Sequence, residues 1–142
     1  MSSDCEILNM RRIGAPRERV FRAWTDPEQL ARWWGPAGFT NTFHEFDPRP
    51  GGAWRFVMHG PNGTDYKNES VFAEVGPERI VIDHISAPRF RLAADFADDD
   101  GGTHITWRMT FASAEECARV RGYVVPANEQ NLDRLEAVLA GR

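Results

Sequence analysis

Apolar positions fall into three regimes along the chain. Residues Cys5 to Ile13 (CEILNMRRI) mix Ile7, Leu8, Met10 and Ile13 with polar neighbours and stop at Gly14-Ala15-Pro16, which predicts a first strand rather than a helix. Pro16 fits the first turn of a helix, where its missing N–H costs nothing, and Val20, Phe21 and Trp24 then share one stripe. Thr25-Asp26-Pro27 breaks and restarts that helix. Asp26 suits an N-cap, Pro27 a first helical position, and Gln29 stands three residues after Asp26, as a capping box needs. Leu30, Trp33 and Trp34 make the stripe of this second short helix, and Gly35-Pro36 ends it.

From Phe39 onward the period is that of strands. Phe39 to Phe46, Ala53 to His59, Asp65 to Val75, Arg79 to Ile85, Phe90 to Phe96 and Thr103 to Phe111 are apolar-rich runs divided by Gly-, Pro- and Asp-rich turns. Their regular spacing predicts an antiparallel meander. Successive side chains on a strand point to opposite faces, so Trp54, Phe56 and Met58 share one face of their strand. By the same rule Ile105, Trp107, Met109 and Phe111 lie opposite Thr106, Arg108 and Thr110. One strongly aromatic face therefore needs a cover, and the C-terminal third supplies it. Ser113 and Glu116 form a capping box, and the helical stretch they start runs to about Arg121, where Gly122 and Pro126 interrupt or kink it. A longer helix follows with Leu132, Leu135, Val138 and Leu139 on one stripe and Gly141 as its stop. Asn128, Glu129 and Asn131 fall at the start of that helix and read as solvated, with the mouth of a pocket as the other placement.

Length and composition narrow the class. A chain of 142 residues suits one domain, spanning 1–142, with a real core. The net charge of −4 and the lack of any Lys/Arg run argue against a nucleic-acid partner. No apolar run reaches the roughly twenty residues of a membrane span, and MSSDCEIL lacks the basic and apolar regions of a secretory signal. The expectation is a cytoplasmic protein that does not insert into membranes. Cys5 and Cys117 are far apart, with no CxxC and no Cys/His spacing for zinc, and read as two reduced thiols. Neither a metal nor a cofactor is expected. The hydrolase elbow, the HExxH helix and the Walker loop all lack their motifs. The Arg49-Pro50-Gly51-Gly52 stretch precedes a strand, not a helix N-terminus, and reads as a structural turn in which Asp47 can pair with Arg49.

The stretches VFRAWTDPEQLARWWGPAGF, EFDPRPGGAWRFVMHGPNGTDYKNES and AEVGPERIVIDH, with the terminal NEQNLDRLEAVLA, resemble a known family over nearly the whole chain. The similarity is to the bacterial homologues of the activator of the heat-shock-protein-90 ATPase, within the START-like (SRPBCC) superfamily. That resemblance implies an α+β helix-grip fold: a seven-stranded antiparallel sheet wrapped around a long C-terminal helix, with two short helices between strands 1 and 2. The order read from periodicity is the same. The resemblance also implies a cavity between sheet and helix that takes an apolar or aromatic small molecule.

Candidates to line such a cavity are Trp33, Trp34, Trp54, Phe56, Met58, His84, Trp107, Met109 and Tyr123, because ligand cavities are mostly apolar with a few placed polar groups. The same rings can equally interlock as filled core. Adjacent helical residues diverge by about 100°, so only one of Trp33 and Trp34 need face inward. His84 shares a face with Ile80 and Ile82, and is either a hydrogen-bonded core residue or an acid/base group; Asp83 faces the other way and makes no dyad with it. No residue is assigned a catalytic role. The expected function is a carrier or sensor. The alternatives are a cyclase or dehydratase using His84 with Tyr123 or a pocket carboxylate, and a chaperone-associated stress protein. So aromatic a domain is also compatible with a homodimer.

Overall fold

The computed structural model describes residues 5–141. Strand β1 (Glu6–Ile13) leads into helices α1 (Arg17–Thr25) and α2 (Pro27–Trp33). Six strands follow: β2 (Thr40–Phe46), β3 (Ala53–His59), β4 (Asp65–Gly76), β5 (Arg79–His84), β6 (Phe90–Asp99) and β7 (Gly102–Thr110). Helix α3 (Ala114–Leu139) completes the chain. The strands form one antiparallel sheet in the order β1-β7-β6-β5-β4-β3-β2, so the meander β2 to β7 is closed at its far side by β1. This is the helix-grip fold. Two register shifts, between Phe43 and Glu45 and between Phe72 and Glu74, give the sheet the local bends with which it curls.

The faces follow the alternation. On β7, Ile105, Trp107 and Met109 are buried, whereas His104, Thr106, Arg108 and Thr110 are half-exposed. Trp54 and Phe56 on β3 and Phe72 on β4 are buried on the same inner face. At the closed end of the cup the rings interlock. Trp24 meets Trp33 edge-on at 4.9 Å, Trp34 meets Trp54 edge-on at 5.0 Å, and Trp54 stacks on Phe72 at 6.0 Å.

Local chemistry sets the element ends. Pro16 stands just outside α1, its carbonyl accepting from the Arg19 and Val20 N–H groups at 3.0 and 3.2 Å. Asp26 caps α2 by accepting from the Glu28 N–H at 3.0 Å, and Gln29 Nε2 donates to the other carboxylate oxygen at 3.1 Å rather than reaching the cap's backbone. Arg49 pairs with Asp47 at 2.7 Å, and Gly51 and Gly52 exchange backbone hydrogen bonds with Phe72, which makes Asp47–Gly52 a structural turn against β4.

The C-terminal segment corrects one expectation: Ser113 caps a single 26-residue helix that Gly122 and Pro126 do not interrupt. A helical proline removes one N–H and crowds the carbonyl four residues earlier, which here belongs to Gly122. Both residues are exposed, so that carbonyl faces water and there is no Cβ at residue 122 to add to the crowding. The unbroken helix carries one buried stripe, Cys117, Val120, Asn128, Asn131, Leu132, Leu135 and Leu139. Arg11 on β1 ties the flank of α3 to the sheet through Glu129 and Asp133 at 2.7 Å each and Glu136 at 3.3 Å. Among the described residues no helix is long and apolar enough to cross a membrane.

Candidate functional site

A cavity of about 620 Å³ lies between the inner face of the sheet and α3. Its walls are Phe56 and Met58 from β3, His84 from β5, and Trp107 and Met109 from β7. Helix α3 contributes Tyr123, Val124, Asn128 and Asn131, and the loop after α2 closes one side with Trp34, Gly35, Pro36 and Phe39. Seven of the nine residues chosen from the sequence thus meet here: Trp34, Phe56, Met58, His84, Trp107, Met109 and Tyr123. Trp33 and Trp54 do not line it. Both have no exposed surface; the Trp33 indole donates to the Ala23 carbonyl at 2.9 Å, and Trp54 is packed between Phe56 and Phe72 at the closed end. Of the adjacent pair, Trp34 is the one that looks into the cup, stacked on Trp107 at 5.8 Å and 22°.

The loop carrying Trp34 is held from α3. Arg134 donates to the carbonyls of Arg32, Trp34, Gly35, Pro36 and Phe39, and Asn131 Nδ2 donates to the Trp33 carbonyl at 3.0 Å. A helix end leaves its last carbonyls without intrahelical partners, and these side chains supply the missing donors for α2. Desolvation works against the Arg134 charge and lowers its pKa, yet a guanidinium stays ionised at any physiological pH.

His84 is a buried, hydrogen-bonded ring that also faces the cavity. Its Nδ1 lies 2.8 Å from the Pro88 carbonyl, which can only accept, so Nδ1 carries the proton. Its Nε2 lies 2.7 Å from Asn68 Oδ1, whose amide nitrogen donates to the Tyr66 carbonyl at 2.9 Å, and the ring stacks on Phe90 at 4.6 Å. Burial pushes the imidazole below its ordinary value despite the hydrogen bond to Pro88. Asp83, on the opposite face, is bound by Arg91 at 2.7 and 2.9 Å and takes no part in this group. The remaining histidines lie outside the cavity, with His59 held between Thr42 and Asp65.

Sequence reasoning missed several wall residues. Asn128 and Asn131 are 5% and 6% exposed, not solvated, because the helix continues through Pro126 and puts them on its buried stripe. Their spacing from Val120, Val124 and Leu135 carried that signal once the helix is taken as unbroken. Tyr66 and Asn68 lie on the inner face of β4 opposite Met58 and Phe56. That strand, with Tyr66, Asn68, Ser70 and Phe72 inside, has too polar an inner face for alternation to reveal it.

A larger depression of about 830 Å³ sits by the β4–β5 turn. Its charged groups already neutralise one another: Arg17 lies 3.7 Å from both Glu78 and Asp98, and Arg79 lies 3.3 Å from Asp95. Among the described residues no group of three or more His, Cys, Asp or Glu side chains could hold a metal ion.

Residues 14–140 match the family described as Activator of Hsp90 ATPase homolog 1-like protein. The chain belongs to this family. No curated protein matches it in sequence. Among solved structures, a protein of Nitrosomonas europaea is similar over 99% of this chain and 97% of its own, with 20% identity and a TM-score of 0.90. A Mycobacterium smegmatis protein shows 26% identity over 99% of this chain and 94% of its own, with a TM-score of 0.87. The AHSA1 protein of Silicibacter pomeroyi shows 19% identity over 95% and 97%, with a TM-score of 0.75. These likenesses establish the START-like fold of the family and put no ligand in the cavity.

Proposed function

We propose that this protein is a small cytoplasmic carrier or sensor that binds an apolar or aromatic small molecule in the cavity beneath α3. The observation that carries the reading is the cavity itself: about 620 Å³, walled by Trp34, Trp107, Phe56, Met58 and Met109, with only a few polar groups placed among them. That size and lining are what small-molecule sites require. Family membership supports a ligand-binding or chaperone-associated role, and the cavity favours the first.

The same wall argues against the cyclase or dehydratase alternative. Both ring nitrogens of His84 face protein oxygens, the Pro88 carbonyl and Asn68 Oδ1; among the described residues no Asp or Glu lines the cavity, and Tyr123 is 62% exposed. A general base needs a nitrogen or oxygen within reach of the substrate proton, and both nitrogens of His84 are turned to protein oxygens. Because Trp34 and Trp107 border the cavity, ligand entry changes tryptophan emission. Titration with the neutral dye 1-aminoanthracene is expected to give saturable quenching, with the dye displaced by competing aromatic or aliphatic compounds. A flat response to the dye and to a broad lipid and aromatic library would overturn the reading.

A further inference from the structure

We propose that the cavity selects neutral ligands that carry a hydrogen-bond donor, which the carboxamide oxygens of Asn128 and Asn131 accept; this rests on the binding reading above. Both side chains line the cavity and are more than nine-tenths buried. A buried amide with an unused oxygen is uncommon, because such groups are nearly always hydrogen-bonded.

The orientation of each amide is fixed by groups that cannot act in the opposite sense. Arg11 donates to Glu129 Oε1 at 2.7 Å, and hydrogen bonds from Asn9 and Arg11 hold the Glu129 carboxyl below its usual range, so it is an ionised acceptor. Asn9 must therefore turn its NH2 to Glu129 Oε2, 2.7 Å away, with the same nitrogen reaching the Val125 carbonyl at 3.3 Å. Its own oxygen then faces Asn128, whose Nδ2 donates to it at 3.0 Å and also approaches the Met109 sulfur at 3.4 Å. On Asn131 the NH2 is committed to the Trp33 carbonyl at 3.0 Å, which only accepts. Each donor end is spent inside the protein.

What remains is Oδ1 of Asn128 and Oδ1 of Asn131. Neither receives a hydrogen bond from any described residue, neither belongs to the sealed polar atoms of the interior, and both residues line the cavity. Two acceptors three residues apart on one helix lie one above the other on the same face. A guest with a hydroxyl or N–H replaces the water that hydrates them, whereas a guest without a donor strips them bare.

Charge points the same way. Among the described residues no carboxylate and no arginine lines the cavity. Lys67 borders it, but strand alternation turns its side chain to the outer face of β4, since its neighbour Asn68 pairs with buried Phe56 on the inner one. An anionic guest would meet two acceptor oxygens, with the Lys67 side chain turned to the outer face.

Equilibrium dialysis of the full chain against 2-naphthol, 2-methoxynaphthalene and 2-naphthoate tests the inference. The phenol is expected to bind on the order of tenfold more tightly than the ether, and the carboxylate most weakly. Asn128→Leu and Asn131→Leu should reduce the phenol/ether ratio toward one. The wild-type ratio decides the matter even where a variant does not fold. Equal binding of phenol and ether, or tightest binding of the carboxylate, overturns donor selection and leaves the binding reading intact. Failure of all three probes overturns both.

Discussion

Arg134 on α3 donates to the Pro36 carbonyl at 2.9 Å, joining residues 98 apart in sequence. The same guanidinium reaches Gly35 at 2.9 Å, Phe39 at 2.9 Å and Arg32 at 2.8 Å, so one side chain organises the whole turn that walls the cavity. Arg134→Met leaves those carbonyls without donors and is expected to cost ~2–3 kcal/mol, since hydrogen bonds to charged groups are the strong ones. Arg134→Lys restores the charge but not the planar fork, and should recover less than half of the loss. Urea unfolding measures both. Hydrogen exchange in residues 35–39 should accelerate more than exchange in β6, and uniform acceleration would show that the arginine acts on global stability alone.

The Asp47–Gly52 turn contains two glycines with different reasons to be glycine. Gly51 has φ +86 and open space around it, whereas a Cβ on Gly52 would run into the Asp47 carbonyl. Gly51→Ala therefore suffers only the left-handed conformation, about 1 kcal/mol. Gly52→Ala must push the Asp47 backbone away and break the Gly52–Phe72 pairing, with an expected loss of ~2–3 kcal/mol or more. Thermal unfolding of the two variants orders them; a Gly52→Ala protein as stable as the parent would contradict the close approach.

Burial of His84 gives the fold a pH dependence whose sign can be worked out. The ring titrates at about 6.5 when exposed and lower when folded, so below 6.5 the unfolded chain takes up the proton first. Stability contributed by neutral His84 is complete above that value and falls as the pH drops through the window below it. The facing groups, Asn68, Ser86, Pro88 and Phe90, include no carboxylate that would offset this. Asp83 and Glu129, whose pKa values are lowered from 3.8 and 4.5, lose their contributions only below those values, so the two regions separate. Urea midpoints measured from pH 7.5 to 5 should decline in the parent and stay flatter in His84→Gln; identical slopes would assign the effect elsewhere.

Strand positions were legible in the sequence because alternation is a direct image of a sheet with one buried face. Alternation therefore puts Trp107 and Met109 on the inner face, where both border the cavity. Trp54 obeys the same alternation yet lies in the closed end, because the period tells which face a residue is on and not how far along the cup it sits. Pro126 misled in the opposite direction: read locally it breaks a helix, and only the coincidence of Gly122 four residues earlier on a solvent-facing side lets the helix pass. That one misreading removed Asn128 and Asn131 from the buried stripe and hid the polar part of the wall.

The pair Trp33 and Trp34 provides a direct test of the cavity assignment, because the two rings touch at 5.7 Å and yet face different surroundings. Trp33 is fully buried and donates to the Ala23 carbonyl, so Trp33→Phe should destabilise the protein by ~1–3 kcal/mol through the unsatisfied carbonyl and lost volume. Dye binding by the fraction that remains folded should be unchanged. Trp34 packs on Trp107 and borders the cavity, so Trp34→Ala should both destabilise the protein and change the affinity for 1-aminoanthracene at least severalfold. Chemical denaturation and dye titration of each variant separate the two effects. If Trp33→Phe altered dye affinity as strongly as Trp34→Ala, the wall would have to be drawn on the other side of α2.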